Sequence, residues 1–431
     1  MKPGMKAKMD VMIVGGGGRE HALAERLARS PRIGKLCALP GNGGIAALAE
    51  CVPIPATDLD ALVAFARERS IDFAVVAPDD PLVMGLVDRL EAAGVRCFGP
   101  NARAAAIEGS KVYAKDLMRR YGIPTARYEV FDDADRALEY AAAAGPVVVK
   151  ADGLARGKGV VVAEDADQAG AAVAAIMRDR IFGASGDRVL IEERLSGPEV
   201  SVLAFTDGRT IVPMVSSMDH KRAFDGDRGP NTGGMGAVAP NPHYTPELAE
   251  RCMRTIFRPT VEALRAEGRP FRGCLYFGLM LTADGPKVIE YNCRFGDPEA
   301  QAVLPLLESD LFEIMLAVRE ERLAEVEVRF SDRASCCVVM ASEGYPGKVR
   351  EGMEIHIDSG LPPDTVVYHS GTRRNGETLR TAGGRVLSVT AVAPTAGEAR
   401  SRAYAGVGLI HFEGARFRHD IGTAGGLSHD A

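Results

Sequence analysis

The 431-residue sequence has no long hydrophobic run. Its longest apolar stretch, Cys274 to Leu281, is the length of a strand and far short of the ~20 residues a membrane helix needs, so no bilayer crossing is expected. It also lacks an excess of positive charge. With 52 Lys and Arg against 58 Asp and Glu, a net charge of −6 gives no general attraction to nucleic acid or anionic lipid, and any anion must be held by a local site. The eight cysteines (37, 51, 97, 252, 274, 293, 336 and 337) form no C-x-x-C and no metal-like pairing with the eight histidines, and read as reduced, mostly buried thiols. Met1 to Lys8 carries three lysines but runs straight into Asp10 and a strand-like Val11-Met12-Ile13-Val14. The apolar segment of about 7–15 residues that marks a signal peptide is missing, so the expected compartment is the cytoplasm. Residues 1–8 are read as a disordered extension, and Met5 or Met9 would serve equally to begin the folded part. Internal repeats are absent.

What is present is ordinary soluble composition, 46% hydrophobic and 26% charged, in a chain long enough for about three domains. From Asp10 to Pro100 strands at 11–14, 36–39, 72–77 and 95–98 alternate with helices at 20–29, 58–69 and 82–93, a βαβ pattern that implies a parallel sheet. A helical stretch from Ala102 to Tyr121 precedes the break at Gly122-Ile123-Pro124. A compact unit follows: strands at 127–130, 147–150, 160–163 and 188–192, helices at 133–144 and 165–178, and a glycine-rich loop at 152–159. Next come a long Gly/Asp/Asn loop at 219–237, a helix near 246–267, and strands at 274–282 and 287–293. A last α+β segment holds strands at 335–341, 365–369 and 385–393 and a helix at 396–407. The expected divisions are 9–109, 110–195, 196–328 and 329–431: an N-terminal parallel α/β domain, two central lobes and a small C-terminal α+β domain.

Four stretches carry chemistry. Val14-Gly15-Gly16-Gly17-Gly18-Arg19-Glu20-His21 places glycines between a strand and a helix, where backbone amides can hold an anion. It is not a dinucleotide fingerprint: Glu20 stands where G-x-G-x-x-G needs its third glycine, and no acid ends the next strand. A sugar phosphate or other small anion fits better, with a ligand-free tight turn as the alternative. In Val147-Val148-Val149-Lys150-Ala151-Asp152-Gly153-Leu154-Ala155-Arg156-Gly157-Lys158-Gly159 a strand ends in lysine and a flexible loop carries another, which suits a lid over nucleotide phosphates. Glycine spacing and the strand that follows exclude a Walker A loop; an exposed basic hairpin remains the alternative. In Lys287-Val288-Ile289-Glu290-Tyr291-Asn292-Cys293-Arg294, Glu290 and Asn292 share a strand face while Ile289 and Tyr291 pack behind. A carboxylate and an amide oxygen suit Mg²⁺, and Arg294 can neutralise a transferring phosphoryl group; a half-buried strand end with ordinary ion pairs is the alternative. Finally, Asp219-His220-Lys221-Arg222 with Gly229-Pro230-Asn231-Thr232-Gly233-Gly234-Met235-Gly236 reads as a backbone-lined site closing on an anionic substrate, or as a solvated mobile loop.

In this order and spacing the sequence resembles the phosphoribosylamine–glycine ligase family (glycinamide ribonucleotide synthetases) of the ATP-grasp superfamily, from about Asp10 to Ile421. The resemblance is carried by GREHAL at 18–23, PGN at 40–42, FGP at 98–100, EGSK at 108–111, KADGLA at 150–155, GKGV at 157–160, IEE at 191–193, DHKR at 219–222, GPNTGGMGA at 229–237 and NCRFGDPE at 292–299. It implies an N-terminal domain, a two-lobed ATP-grasp core and a C-terminal domain. It implies the second step of de novo purine biosynthesis: ATP-dependent ligation of glycine to 5-phospho-β-D-ribosylamine through glycyl phosphate, giving N1-(5-phospho-β-D-ribosyl)glycinamide, ADP and phosphate. Carried over residue by residue, Lys111, Lys150 and Lys158 meet ATP phosphates, Glu192 and Leu195 the adenine edge, and Glu199 the ribose. Glu290 and Asn292 hold Mg²⁺ or Mn²⁺. Arg294, Asp297 and Lys158 are the catalytic residues, Gly296, Asp297 and Pro298 lie near glycine and the amine, and Gly17, Glu20, Asn42, Lys221, Arg222 and Asn231 bind phosphoribosylamine. The expected partners are these small molecules alone, with a transient contact to the preceding pathway enzyme and a monomeric state.

Two positions depart from the family pattern. Asp79, in Ala77-Pro78-Asp79-Asp80-Pro81-Leu82, replaces a glutamate, so a shorter carboxylate must make that sugar contact. Arg156 replaces a small loop residue and is expected to face water. In addition, Cys274 to Leu281 lacks the metal-binding acid many ATP-grasp enzymes carry there, which leaves Glu290 most of the metal. The alternatives are another carboxylate–amine ligase or a biotin-carboxylase-like enzyme, and a non-catalytic nucleotide-binding regulator.

Overall fold

A computed structural model describes residues 8–155 and 159–423. Arg156, Gly157 and Lys158 therefore lie outside the described residues, as do residues 1–7 and 424–431. The apolar run at the start forms the strand Met9–Gly15, the middle of a five-stranded parallel sheet. Ile33–Pro40 and Glu50–Cys51 lie on one side of it, Phe73–Val76 and Arg96–Phe98 on the other. The order reverses beside Met9–Gly15, and in open α/β sheets the crevice at such a reversal is where ligands bind. Gly15 ends the central strand there, and Pro78 caps the helix Asp79–Val83 that follows the neighbouring strand.

The lid lobe is a four-stranded antiparallel sheet in the order Tyr128–Phe131, Val189–Glu193, Val147–Ala151, Val160–Ala163. Its small core of alanines and valines, Ala137, Ala141, Val149, Ala169 and Val173 among them, is separate from the cores of the other units. The catalytic lobe is a second four-stranded antiparallel sheet: Ile211–Pro213, Glu199–Asp207, Arg272–Thr282, Gly285–Asn292. One continuous core joins it to the N-terminal domain through Met12, Leu39, Val202, Phe277 and Val288.

Several expected elements are subdivided, each for a local reason. The helix expected at 82–93 is two, Asp79–Val83 and Leu86–Ala92, parted by Gly85 at φ +87°. The stretch Ala102 to Tyr121 breaks into Ala102–Gly109 and Lys111–Arg120 because Ser110 leaves the helix to cap the second one. The helices expected at 165–178 and near 246–267 each contain a π-helical turn, at Ala174–Arg178 and Met253–Phe257.

The largest difference concerns 219–237, read from sequence as a loop. It contains the exposed hairpin Arg222–Phe224 with Arg228–Asn231, flanked by Met218–Asp219 and Gly236–Ala239. Those two flanking strands pair with each other, and Gly236–Ala239 pairs onto Ala334–Ala341. The C-terminal sheet therefore runs Met218–Asp219, Gly236–Ala239, Ala334–Ala341, Arg385–Ala393, Thr365–His369, two of its five strands coming from the central segment. Its other face is covered by the helix Ala396–Val407 through Ala399, Ala403 and Val407. All eight cysteines are free thiols, and all but Cys51 are buried. Among the described residues no helix is long and apolar enough to cross a membrane.

Candidate active site

A cavity of about 370 Å³ opens where the N-terminal crevice, the two central lobes and the C-terminal sheet meet. Asp79, Lys111, Lys150, Glu192, Lys221, Asn231, Glu290, Asn292, Arg294 and Asp297 all line it. Gly17, Glu20, Asn42, Leu195, Glu199, Arg222, Gly296 and Pro298 are not among the residues that line it.

On the lid side, two motifs are joined through Asp152. The Ser110 hydroxyl donates to Asp152 Oδ1 (2.9 Å), the Val112 N–H to the same oxygen (2.9 Å), and the Lys111 N–H to the Asp152 carbonyl (3.0 Å). This brings the Lys111 ammonium to the Gly153 carbonyl (2.8 Å), on the loop expected to cover phosphates. Burial and the nearby Lys150 hold Lys111 below its ordinary pKa. Lys150 donates to the Ile289 carbonyl (2.9 Å) and pairs with Glu192 Oε2 (3.0 Å). Lys115, one helical turn beyond Lys111, pairs with the same Glu192 oxygen at 3.1 Å and is pushed down by burial to about 8. Among the described residues Glu192 Oε1 is buried with no partner, an acceptor on a wall that Met118 and Leu154 make partly apolar.

The strand Gly285–Asn292 sets Glu290 opposite Gly278 and Asn292 opposite Tyr276. The register shifts at Gly278/Leu279, so Ile289 is an extra residue in a bulge. It does not simply pack behind as strict alternation predicts: it is half-buried at the cavity wall, whereas Tyr291 is buried and exchanges a hydrogen bond with Thr260 (2.9 Å). Lys221 bridges Glu199 (2.9 Å) and Glu290 (3.4 Å). The Lys221 ammonium, against opposing burial, and then Lys150 hold Glu290 below the usual carboxylate range. Lys221, which burial alone would depress, is held well above its ordinary value by Glu199 and Glu290. Arg294 pairs with Glu108 (2.9 Å), whose other oxygen accepts the Cys293 N–H (2.7 Å). Arg294 is held protonated against burial by Glu108 and Asp79. Asp79 is likewise kept ionised against burial by Arg294 and Arg19.

The glycine-rich turn has partners that the sequence did not suggest. The Gly17 N–H donates to Glu20 Oε2 (2.6 Å) and the Arg19 N–H to Asp297 Oδ2 (3.2 Å). Asn42 is fully engaged: its amide donates to the carbonyls of Gly16 (2.9 Å) and His369 (2.7 Å), and its oxygen accepts the N–H groups of Gly44 and Ile45. Here the anion at the start of the helix Gly18–Ala28 is the carboxylate of Asp297, and Glu20 and Asn42 shape the turn. Arg222 donates to the Gly229 carbonyl across its hairpin (2.8 Å), so its side chain braces that loop.

Sequence reasoning missed Arg19, Glu108, Lys115, Asp219, Tyr276, Glu299 and Arg385, all on the cavity wall. Arg19, Glu108, Asp219 and Glu299 lie inside motifs quoted above, and Lys115 has the i+4 spacing from Lys111 that puts both on one helix face. Arg385 has no local signal. Tyr276 donates to Glu299 Oε1 (2.9 Å), and burial together with Glu299 raises Asp219 well above its ordinary pKa.

The residues present suit a divalent cation beside bound phosphates. Glu290 is held ionised, among the described residues the Asn292 oxygen has only a long contact from Arg294 (3.4 Å), and both are hard oxygen donors two residues apart on one strand. Among the described residues no group of three or more His, Cys, Asp or Glu side chains is disposed to hold a metal.

Two antiparallel lobes enclosing a lysine-lined cavity, with a carboxylate and an amide at the end of a catalytic-lobe strand, define an ATP-grasp protein. Comparison with known proteins narrows this. Family models match consecutive parts of the chain: the phosphoribosylglycinamide synthetase N domain at residues 9–108, its ATP-grasp (A) domain at 109–300 and its C domain at 335–424. The phosphoribosylamine–glycine ligase of Allochromatium vinosum is 50% identical over 422 residues, covering 96% of this chain and 98% of that one. The crystal structure of the Thermotoga maritima phosphoribosylamine–glycine ligase superposes with a TM-score of 0.84 at 35% identity, over 96% of this chain and all of that one. The chain belongs to the phosphoribosylglycinamide synthetase family. A biotin carboxylase from Campylobacter jejuni shares the fold alone, with a TM-score of 0.73 at 13% identity over 95% of this chain and 93% of that one.

Proposed function

We propose that this chain ligates glycine to 5-phospho-β-D-ribosylamine at the expense of ATP, giving N1-(5-phospho-β-D-ribosyl)glycinamide, ADP and phosphate. The observation that carries this reading is the continuity of one cavity from the lysines Lys111 and Lys150, past Glu290, Asn292 and Arg294, to Asp297 at the glycine-rich turn. A nucleotide, an acyl group and an amine bound along it would react in sequence without leaving. Biotin-carboxylase-like enzymes share the fold, but the family resemblance favours an amine acceptor.

Lys111 and Lys150 bind the phosphates, and the unpartnered Glu192 Oε1 accepts from the adenine amino group. Lys158 is proposed to add a third phosphate contact. Glu199 is proposed to bind the ribose and Leu195 to lie beside the base. Glu290 and Asn292 would hold Mg²⁺ or Mn²⁺, which when bound neutralises phosphate charge. Arg294, fixed by Glu108, stabilises the phosphoryl group as the glycine carboxylate attacks the γ-phosphorus and ADP leaves. The phosphoribosylamine nitrogen then attacks the acyl carbon of glycyl phosphate, the C–O bond to phosphate breaks, and Asp297 accepts the proton the amine loses. Asp79, Lys221 and Asn231 bind the phosphoribosylamine, with Gly17, Glu20, Asn42, Arg222, Gly296 and Pro298 shaping its surroundings.

The test is Mg²⁺-dependent ADP release with ATP alone, with glycine, with freshly generated phosphoribosylamine, and with both. Release that needs both, with product of the mass of glycinamide ribonucleotide, is expected. Release with another acid would move the reading to a different ligase, and ATP binding without release would favour a non-catalytic module.

A further inference from the structure

Asp297 is the proposed proton acceptor, yet nothing in its own motif explains how a carboxylate packed among three domains stays ionised and aimed at the cavity. Its partners come from distant segments. The Arg19 N–H donates to Oδ2 (3.2 Å) and the Gln301 amide to Oδ1 (2.9 Å). Arg385, at the start of the C-terminal strand Arg385–Ala393, brings one nitrogen, Nη1, to Asp297 Oδ1 (3.3 Å), to the Asp297 carbonyl (2.7 Å), and to the carbonyls of Gly233 and Gly234. That single nitrogen fixes the carboxylate, its own backbone and the glycine loop on the facing wall.

We propose that Arg385 is a positioning residue for the amine half of the reaction, holding Asp297 and the Gly233–Gly234 turn in the arrangement in which Asp297 takes the proton released as the C–N bond forms. The proposal rests on the ligase reading above. The charged and titratable groups around Asp297 are Arg19 and Glu20 from the first helix and Arg385 and Cys337 from the C-terminal sheet, with Asp219, on the short first strand of that sheet, and Glu299, at the start of the helix Glu299–Val303, acting in turn on Arg385. Of the cations, Arg385 acts more strongly than Arg19, and with the hydrogen bonds from Gln301 and the Arg19 N–H they overcome the burial that would otherwise raise Asp297. Because one nitrogen makes all these contacts, an ammonium that reaches the same point can replace it in part.

The experiment compares full-length wild type, Arg385→Met and Arg385→Lys, measuring KM for ATP and glycine, and kcat/KM for phosphoribosylamine against pH. For Arg385→Met the expected result is KM for ATP within about threefold of wild type, kcat/KM for phosphoribosylamine down about 10²-fold, and the acid limb of its pH profile moved up by about one unit. Arg385→Lys is expected to recover about tenfold of that loss. Should Arg385→Met not fold, Arg385→Gln carries the same comparison. Equal loss in ATP and amine parameters, or an unmoved acid limb, would overturn the role. A wild-type chain that makes no glycinamide ribonucleotide would instead overturn the ligase reading, and the role with it.

Discussion

Gly278 offers a way to move Glu290 without changing it. A β-carbon at position 278 would sit 2.8 Å from Glu290 Cγ, while its other close neighbours, Ile289 Cγ1 and the Glu290 carbonyl, lie at 3.4 and 3.5 Å, ordinary contact distances. In Gly278→Ala the Glu290 side chain must therefore withdraw by about 0.6 Å or rotate, and misplacement of a reacting group on the order of 1 Å costs up to about 10²-fold in rate. We expect kcat to fall roughly ten- to fiftyfold and half-saturation by Mg²⁺ to rise. Because the displaced Glu290 side chain can move into the cavity it lines, the overpacking should cost only about 1 kcal/mol, and alanine suits a strand better than glycine, so the thermal midpoint should move little. The assay is ADP release against Mg²⁺ concentration, with thermal unfolding of the same preparation. A kcat within twofold of wild type at unchanged Mg²⁺ dependence would refute the placement of Glu290 as the metal-bearing carboxylate; a collapse of the midpoint matching the loss of activity would make Gly278 a folding residue.

Other perturbations address the remaining groups. Glu290→Gln keeps the shape but removes the charge, and turnover should be lost with the midpoint nearly unchanged, since the side chain faces the cavity; equal losses of stability and rate would count against it. Among the described residues Lys115→Met leaves Glu192 with Lys150 as its one ion-pair partner, and KM for ATP should rise about tenfold, equivalent to about 1.4 kcal/mol; an unchanged KM would remove Lys115 from the nucleotide site. Buried His21 is pushed down to about 3, by desolvation and then by His369, and His369 to about 4, by desolvation and then by Arg374. Each binds a proton more readily when unfolded, near 6.5, so stability should fall as pH drops from 6.5 toward 4, by about 1.4 kcal/mol per pH unit for each group. Urea unfolding at pH 7 and pH 5 measures this, and equal free energies would show that these histidines do not control acid stability.

The architecture was legible wherever a segment carries its own instruction. Alternation of β-branched runs with amphipathic stretches announced the parallel sheet, and lysine-ending and Glu-x-Asn strands marked the lid and the catalytic strand. What could not be read was which segments complete one another's sheets. Gly236–Ala239 is short, with three of its four residues glycine or alanine, and looks like loop; only its hydrogen bonding to neighbouring strands such as Ala334–Ala341 makes it a strand. The bulge at Ile289 was hidden for a related reason, because a register shift depends on the partner strand, whose Gly278 alone leaves room for Glu290 to turn inward.

The glycine-rich turn resembles a receptor for a free anion for the same physical cause. Glycines before a helix show that amides are available, and the pattern does not say which anion takes them. The answer lies 278 residues away, where Asp297 accepts the Arg19 N–H, and it is completed by Arg385, a further 88 residues along. The contacts that fix the turn itself are equally remote, with Asn42 reaching the His369 carbonyl and the His369 N–H donating to His21. A carboxylate assembled this way has no owner among the domains. It follows that substitutions that remove the Arg19 charge, the Gln301 amide or the Arg385 guanidinium should not add: each removes support from one group, so a pair should cost less activity than the sum of its single variants, with coupling on the order of 0.5–3 kcal/mol in a double-mutant cycle. Strict additivity would mean that the segments act independently on the cavity, and that Asp297 is not their common point of action.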